Sequence, residues 1–242
     1  MLRIVTDFNM DTLPNVETRR GEYNPLTPDL PPTFPPEKQN NPTGVSVRYA
    51  PDPSKKWFVL RVTYNRANKA NDFLQKCDVD TYLPMRWVWK LVRGKKKRIL
   101  EPLIPNLLFA YASQDVLDSC MKAISTLPCL SYYYDHFNTL PGGKNPPLTV
   151  GYRDMMNFIR LTSVDNEHIC VVTPQQCHYK DGDWVQVVKG DFEGVIGKVA
   201  RVTGQQRVVV KLDGVCLVAT AYVPSGFIEK IPSKDNEMLK SV

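Results

Sequence analysis

Apolar and polar positions fall into regular alternation only from Trp57 onward, and the period then changes several times along the chain. Residues 57–63, apolar except for Arg61 and Thr63, read as a buried strand. Asn65 offers an N-cap for a helix to about Cys77. Ala67, Ala70, Phe73, Leu74 and Cys77 would share its inner face, and Arg66, Asn68, Lys69, Asp72 and Lys76 its outer one. Strands follow over 79–83 and 85–92. A basic turn over 93–98 then leads to a return strand from Ile99, which predicts a β-hairpin. Residues 106–112 read as a strand and 114–125 as a helix with Val116, Leu117, Cys120, Met121 and Ile124 inward. Residues 129–134 read as a strand, 141–147 as a loop, and 152–161 as a helix carrying Met155, Met156, Phe158 and Ile159. This order predicts an α+β sandwich with a mainly antiparallel sheet.

A polar connector over 165–180 separates that unit from an all-β pattern. Strands are expected near 184–188, 195–202, 207–212, 216–223 and 227–231, with turns at 204–206 and 213–214. Gly190, Gly194 and Gly197 fall within eight residues between the first two strands. Glycine at that density specifies positive φ or close backbone approach, hence a small SH3-like β-barrel rather than a flexible linker. Upstream of Trp57, residues 1–55 hold ten of the twenty prolines and show no periodicity, as expected of an extended segment that does not fold alone. Within it Val45, Val47 and Tyr49 alternate, the pattern of an added edge strand.

Composition changes the picture in one respect. The net charge of +6 is unevenly distributed: residues 1–55 carry −1, residues 56–165 carry +7, and residues 166–242 are neutral. A local cationic excess points to a polyanionic partner, against the simpler reading of a solvated face. The six cysteines form no CxxC pair and sit in apolar contexts, as reduced buried cysteines do. No run approaches the ~18 apolar residues of a membrane helix, and the N-terminus lacks a signal-peptide pattern, so a cytoplasmic protein is expected. Catalytic motifs fall short. Gly194-Val-Ile-Gly197-Lys198 would need Gly at 192 and Ser or Thr at 199 to make a P-loop, and Phe192 and Val199 stand there. His168, Cys170, Cys177 and His178 match no zinc spacing. The expectation is no enzyme, no cofactor and no metal.

The two halves, in this order, resemble the NusG family of bacterial transcription elongation factors. In the C-terminal half the resemblance rests on Gly182-Asp183, Val185 and Val187, Gly190-Asp-Phe192-Glu-Gly194-Val-Ile-Gly197 and Lys198-Val199, which look like a KOW domain, with Asp191 where the family usually has Pro. In the N-terminal half it rests on Trp57-Phe-Val-Leu60, Leu83-Pro-Met-Arg86, and the run from Val92 through Arg93-Gly-Lys-Lys-Lys-Arg98 and Glu101-Pro-Leu-Ile-Pro-Asn-Leu-Leu-Phe109, which look like an NGN domain, closest to the specialised paralogues of the RfaH and UpxY type. The implied boundaries are a Pro-rich extension at 1–55, NGN at 56–165, a linker at 166–179, KOW at 180–232 and a tail at 233–242.

The resemblance implies a monomeric, non-catalytic elongation or antitermination factor. Val59, Ile104, Pro105, Leu107 and Phe109 would form a hydrophobic patch gripping the clamp helices of the RNA polymerase largest subunit. For Leu108, whose parity opposes Leu107 and Phe109, a core position is expected. Arg93, Lys95, Lys96, Lys97 and Arg98, with Arg66 and Lys69, would face upstream DNA or the non-template strand, since clustered cations neutralise phosphates. Phe192 and Ile196 would contact a second partner of the KOW domain, such as a ribosomal protein or Rho, although Phe192 also suits the barrel core. A KOW-containing ribosome-associated or RNA-binding protein is the alternative from another class.

Overall fold

The computed structural model describes residues 49–63, 66–123, 129–136, 138 and 141–231. The expected Asn65 cap, Val45, Val47, Ile124, the bulk of the Pro-rich extension and the tail over 233–242 lie outside these residues.

The first sheet is built on β1 (Lys56–Val62), whose apolar run is buried on both faces. It pairs antiparallel with β5 (Leu107–Ala112) and β6 (Leu130–Tyr132), and near its start with β7 (Thr149–Val150). β2 (Asp80–Tyr82) borders β5. Side chains alternate across the sheet. Phe58, Leu60, Val62, Leu108 and Ala110 face one core with α1 (Ala67–Lys76) and α2 (Gln114–Ala123). Trp57, Val59, Phe109 and Tyr111 face another, against α3 (Tyr152–Thr162). Leu108 thus takes the core position its parity required. Val116, expected inward on α2, is 46% exposed; Leu117 and Cys120 carry the buried face instead.

β3 (Met85–Val92) and β4 (Lys95–Pro102) form a separate two-stranded ribbon. The turn is shorter than expected. Only Arg93 and Gly94 turn, with φ of 51° and 76°, the conformation of a two-residue hairpin loop. Lys95 to Arg98 therefore belong to the strand, opposite Val92 to Trp89.

The C-terminal part is a six-stranded antiparallel sheet, ordered β13-β9-β10-β11-β12-β8. It comprises β8 (Cys170–Val172), β9 (His178–Val187), β10 (Ile196–Val202), β11 (Gln205–Leu212), β12 (Cys216–Ala219) and β13 (Ile228–Lys230). β8 was not expected: the stretch read as a polar connector supplies an edge strand to β12. Its three apolar residues are too few to show a period. Just before β8, Arg207 donates to the His168 carbonyl at 2.8 Å and the Thr220 carbonyl at 3.1 Å, fastening the connector to the sheet. Gly197 is required by close approach: a Cβ there would lie 2.5 Å from the Val209 carbonyl oxygen on β11.

Tyr49, at the end of the Pro-rich extension, is a core residue outside any strand. Its ring meets Trp57 edge-on at 5.1 Å and its hydroxyl donates to the Thr81 carbonyl at 2.9 Å.

Candidate nucleic-acid and protein interfaces

Between Met85 and Pro102 the ribbon carries seven cationic side chains and one carboxylate, an excess equal to the +6 of the whole chain. Strand periodicity sorts them. On one face lie Trp87, Trp89 and Leu91, opposite Leu100, Arg98 and Lys96. On the other lie Arg86, Val88 and Lys90, opposite Glu101, Ile99 and Lys97. Glu101 pairs with Lys90 and, at 3.2 Å, with Arg86; the Lys90 hydrogen bond, then Arg86, holds its carboxyl below the usual carboxylate range. At the ribbon's base a cleft of about 420 Å³ opens between Arg86, Lys90, Glu101, the start of α1 at Ala67 and Asn68, and Pro105 and Asn106. Arg93, Lys95, Lys96, Lys97 and Arg98 are exposed, as are Arg66 and Lys69 on α1.

The expected apolar patch is divided. Pro105 is exposed and Leu107 half-buried, whereas Ile104 is buried and Val59 and Phe109 are wholly inaccessible. Phe109 packs on Phe158 of α3 with ring centroids 5.5 Å apart. As placed here, Val59 and Phe109 are core and present no surface to a partner. Parity put Leu107 and Phe109 on one face; it carries no information about what covers that face.

The second expected contact surface is also covered. Phe192 is buried in the core shared with α3, and Ile196 is half-buried. β11 pairs with β10 only from Lys198 onward, which leaves the backbone of Ile196 without a strand neighbour on that side. Asn157 of α3 takes the place of one. Its Nδ2 donates to the Ile196 carbonyl at 2.5 Å, and its Oδ1 accepts from the Ile196 N–H at 2.9 Å. One turn on, Arg160 donates to the Gly194 carbonyl at 2.8 Å, and burial lowers its guanidinium pKa. Val195, Leu212 and Val208 complete an apolar contact with Met155, Phe158 and Ile159. Asp154, exposed at the start of α3, has its carboxyl pKa raised by partial desolvation, helped by Asp213. Sequence reading missed Asn157 and Arg160, because a polar residue on an amphipathic helix reads as solvent-facing and their partners are backbone groups.

None of the six cysteines forms a disulfide, and among the described residues no three His, Cys, Asp or Glu side chains gather as a metal site. Among the same residues no helix is long and apolar enough to cross a membrane.

The fold is thus a mixed α/β domain with a projecting basic ribbon, followed by a β-rich C-terminal domain. The family model described as "Transcription termination factor nusG" matches residues 55–159. A solved structure, "Domain interaction in Thermotoga maritima NusG", is similar at 19% identity, covering 74% of this chain and 98% of that one, with a TM-score of 0.38. Residues 55–159 are a NusG-family domain, and the chain is a transcription elongation/termination factor in that general sense.

Proposed function

We propose that this protein is a non-catalytic elongation or antitermination factor that binds the clamp helices of the RNA polymerase largest subunit through its N-terminal domain. The observation that carries the reading is the NusG-family match over 55–159, which spans both the ribbon and the Pro105–Leu107 stretch at its base. Apolar anchors beside a basic ribbon suit a helix-in-groove contact flanked by nucleic acid. The anchors available on this surface are Pro105 and Leu107. Val59 and Phe109 support them from beneath, and Ile104 joins the contact where the surrounding side chains yield. Bridging the clamp favours the closed, processive polymerase through differential binding to the two states.

The C-terminal domain, the KOW domain of the resemblance, recruits a second factor through Phe192 and Ile196. Both are engaged with the α3 side of the first domain, so recruitment requires that contact to open. The cations of the ribbon hold upstream or non-template DNA.

The test is transcription in vitro through pause and terminator sites, with and without the protein. Increased read-through is expected, and unchanged read-through refutes the role. Leu107→Asp and Pro105→Asp, the latter at an exposed turn position, are expected to abolish polymerase co-purification while the protein melts cooperatively; binding retained by both variants refutes the patch.

A further inference from the structure

The phosphate-binding reading uses only the cations of the ribbon and leaves its aromatic face without a task. That face is unusual for a water-exposed strand. Trp89 is 55% exposed and Leu91 78% exposed, at the far end of a ribbon that pairs with no other strand among the described residues. Exposed large apolar side chains grouped together mark an interaction site. Directly across the ladder stand Arg98 and Lys96, whose charged groups lie over Trp87 at 4.9 Å and over Trp89 at 5.2 Å. Each tryptophan therefore has a cation beside it on the same face.

We infer that the Trp87–Trp89–Leu91 face of the ribbon is a stacking platform for single-stranded nucleic acid, with Lys96 and Arg98 holding the phosphates of the same strand. The inference rests on the reading of the ribbon as a polyanion site and adds the class of strand it takes. Charge selects the partner: the ribbon as a whole carries seven cations against Glu101 and the Asp165 that pairs with Arg98 at 3.3 Å, Lys96 and Arg98 stand on the tryptophan face, and among the anionic polymers that such an excess attracts, nucleic acid offers planar faces. Geometry selects the strand. Alternate residues of one strand face stand about 7 Å apart, roughly twice the ~3.4 Å repeat of stacked bases, so a base fits between neighbouring side chains. A duplex keeps its base faces internal and offers this surface phosphates alone.

The experiment uses the full chain and fluorescently labelled probes: a 12-nucleotide oligo(dT) and a 12-base-pair duplex, titrated by anisotropy across a salt series. The wild type is expected to prefer oligo(dT). Trp89→Ala is expected to lose about tenfold on oligo(dT), with the duplex affinity and the salt slope unchanged, and Trp89→Phe to recover most of the loss. Replacing Lys95, Lys96 and Lys97 together with Gln is expected to weaken both probes and flatten the salt slope. If the lysine variant behaves so while Trp89→Ala leaves oligo(dT) binding intact, or weakens both probes equally, the stacking inference falls and the phosphate reading stands. If the wild type binds neither probe, both fall. Self-association of the wild type that Trp89→Ala abolishes, seen by sedimentation without nucleic acid, assigns the face to a second copy and overturns the inference.

Discussion

Asn157→Ala tests whether the two domains are held together by a side chain that stands in for a strand. The substitution removes both hydrogen bonds to Ile196 and leaves that residue's N–H and carbonyl facing the alanine methyl. An unsatisfied buried backbone group costs about 1–3 kcal/mol. Ile196 is half-buried, so water recovers part of this, and the net loss for the pair comes to about 2 kcal/mol. Since ~1.4 kcal/mol is a factor of ten, the open fraction is expected to rise about thirtyfold. The readout is amide hydrogen exchange at Ile196, with Val199 and Val208, inside the C-terminal sheet, as controls. Exchange at Ile196 is expected to accelerate by about that factor while the controls hold, and protease cleavage between Ser163 and Ile169 is expected to increase. Unchanged exchange at Ile196 in a folded variant refutes the clasp. Acceleration of the controls as well shows that the sheet, rather than the interface, has been damaged.

Gly197→Ala places a methyl 2.5 Å from the Val209 carbonyl oxygen and 2.8 Å from the Val208 side chain, so β10 and β11 must part; destabilisation of about 3 kcal/mol is expected in urea unfolding, and an unchanged midpoint argues against the packing. Phe109→Ala is expected to cost about 3–5 kcal/mol, as a core residue does, whereas a surface anchor would leave the melting temperature near that of the wild type. Because partial desolvation, then Asp213, raises the Asp154 pKa, the folded state binds that proton more tightly than the unfolded chain. The resulting stability is full below about pH 4 and is lost as pH rises through the folded-state pKa. Asp154→Asn should therefore flatten the fall in melting temperature as pH rises above about 4; identical pH profiles for the two proteins would sink the assignment.

The longer elements of the first domain were legible because they carry a period: an apolar run broken only by Arg61 in β1, a 3.6-residue stripe in α1 and α3, and opposed parity at Leu107 and Leu108; the two residues of β7 are too few to show one. The same periods state which face a side chain occupies and nothing about the layer laid over it. The resemblance implied Val59 and Phe109 as contacts, and Phe192 as a contact or a barrel-core residue; all three lie in the core that includes α3. The ribbon's cations were visible in sequence, but the turn was overestimated because charge conceals strand character; Arg93 and Gly94 alone suffice to reverse the chain. Asn157 and β8 had no local signal, since what defines each is a partner 39 or more residues away.

The strand hidden in the connector shortens the leash between the domains. Once β8 is committed to β12, only Ser163 to Ile169 join Thr162 at the end of α3 to the C-terminal sheet. Seven residues span at most about 25 Å, so a released C-terminal domain cannot diffuse away and its effective concentration at α3 stays on the order of millimolar. On the proposed recruitment, a competing factor would have to outbid that local concentration, and the number of residues in the leash, as much as the chemistry of Asn157, would set the threshold at which the domains part.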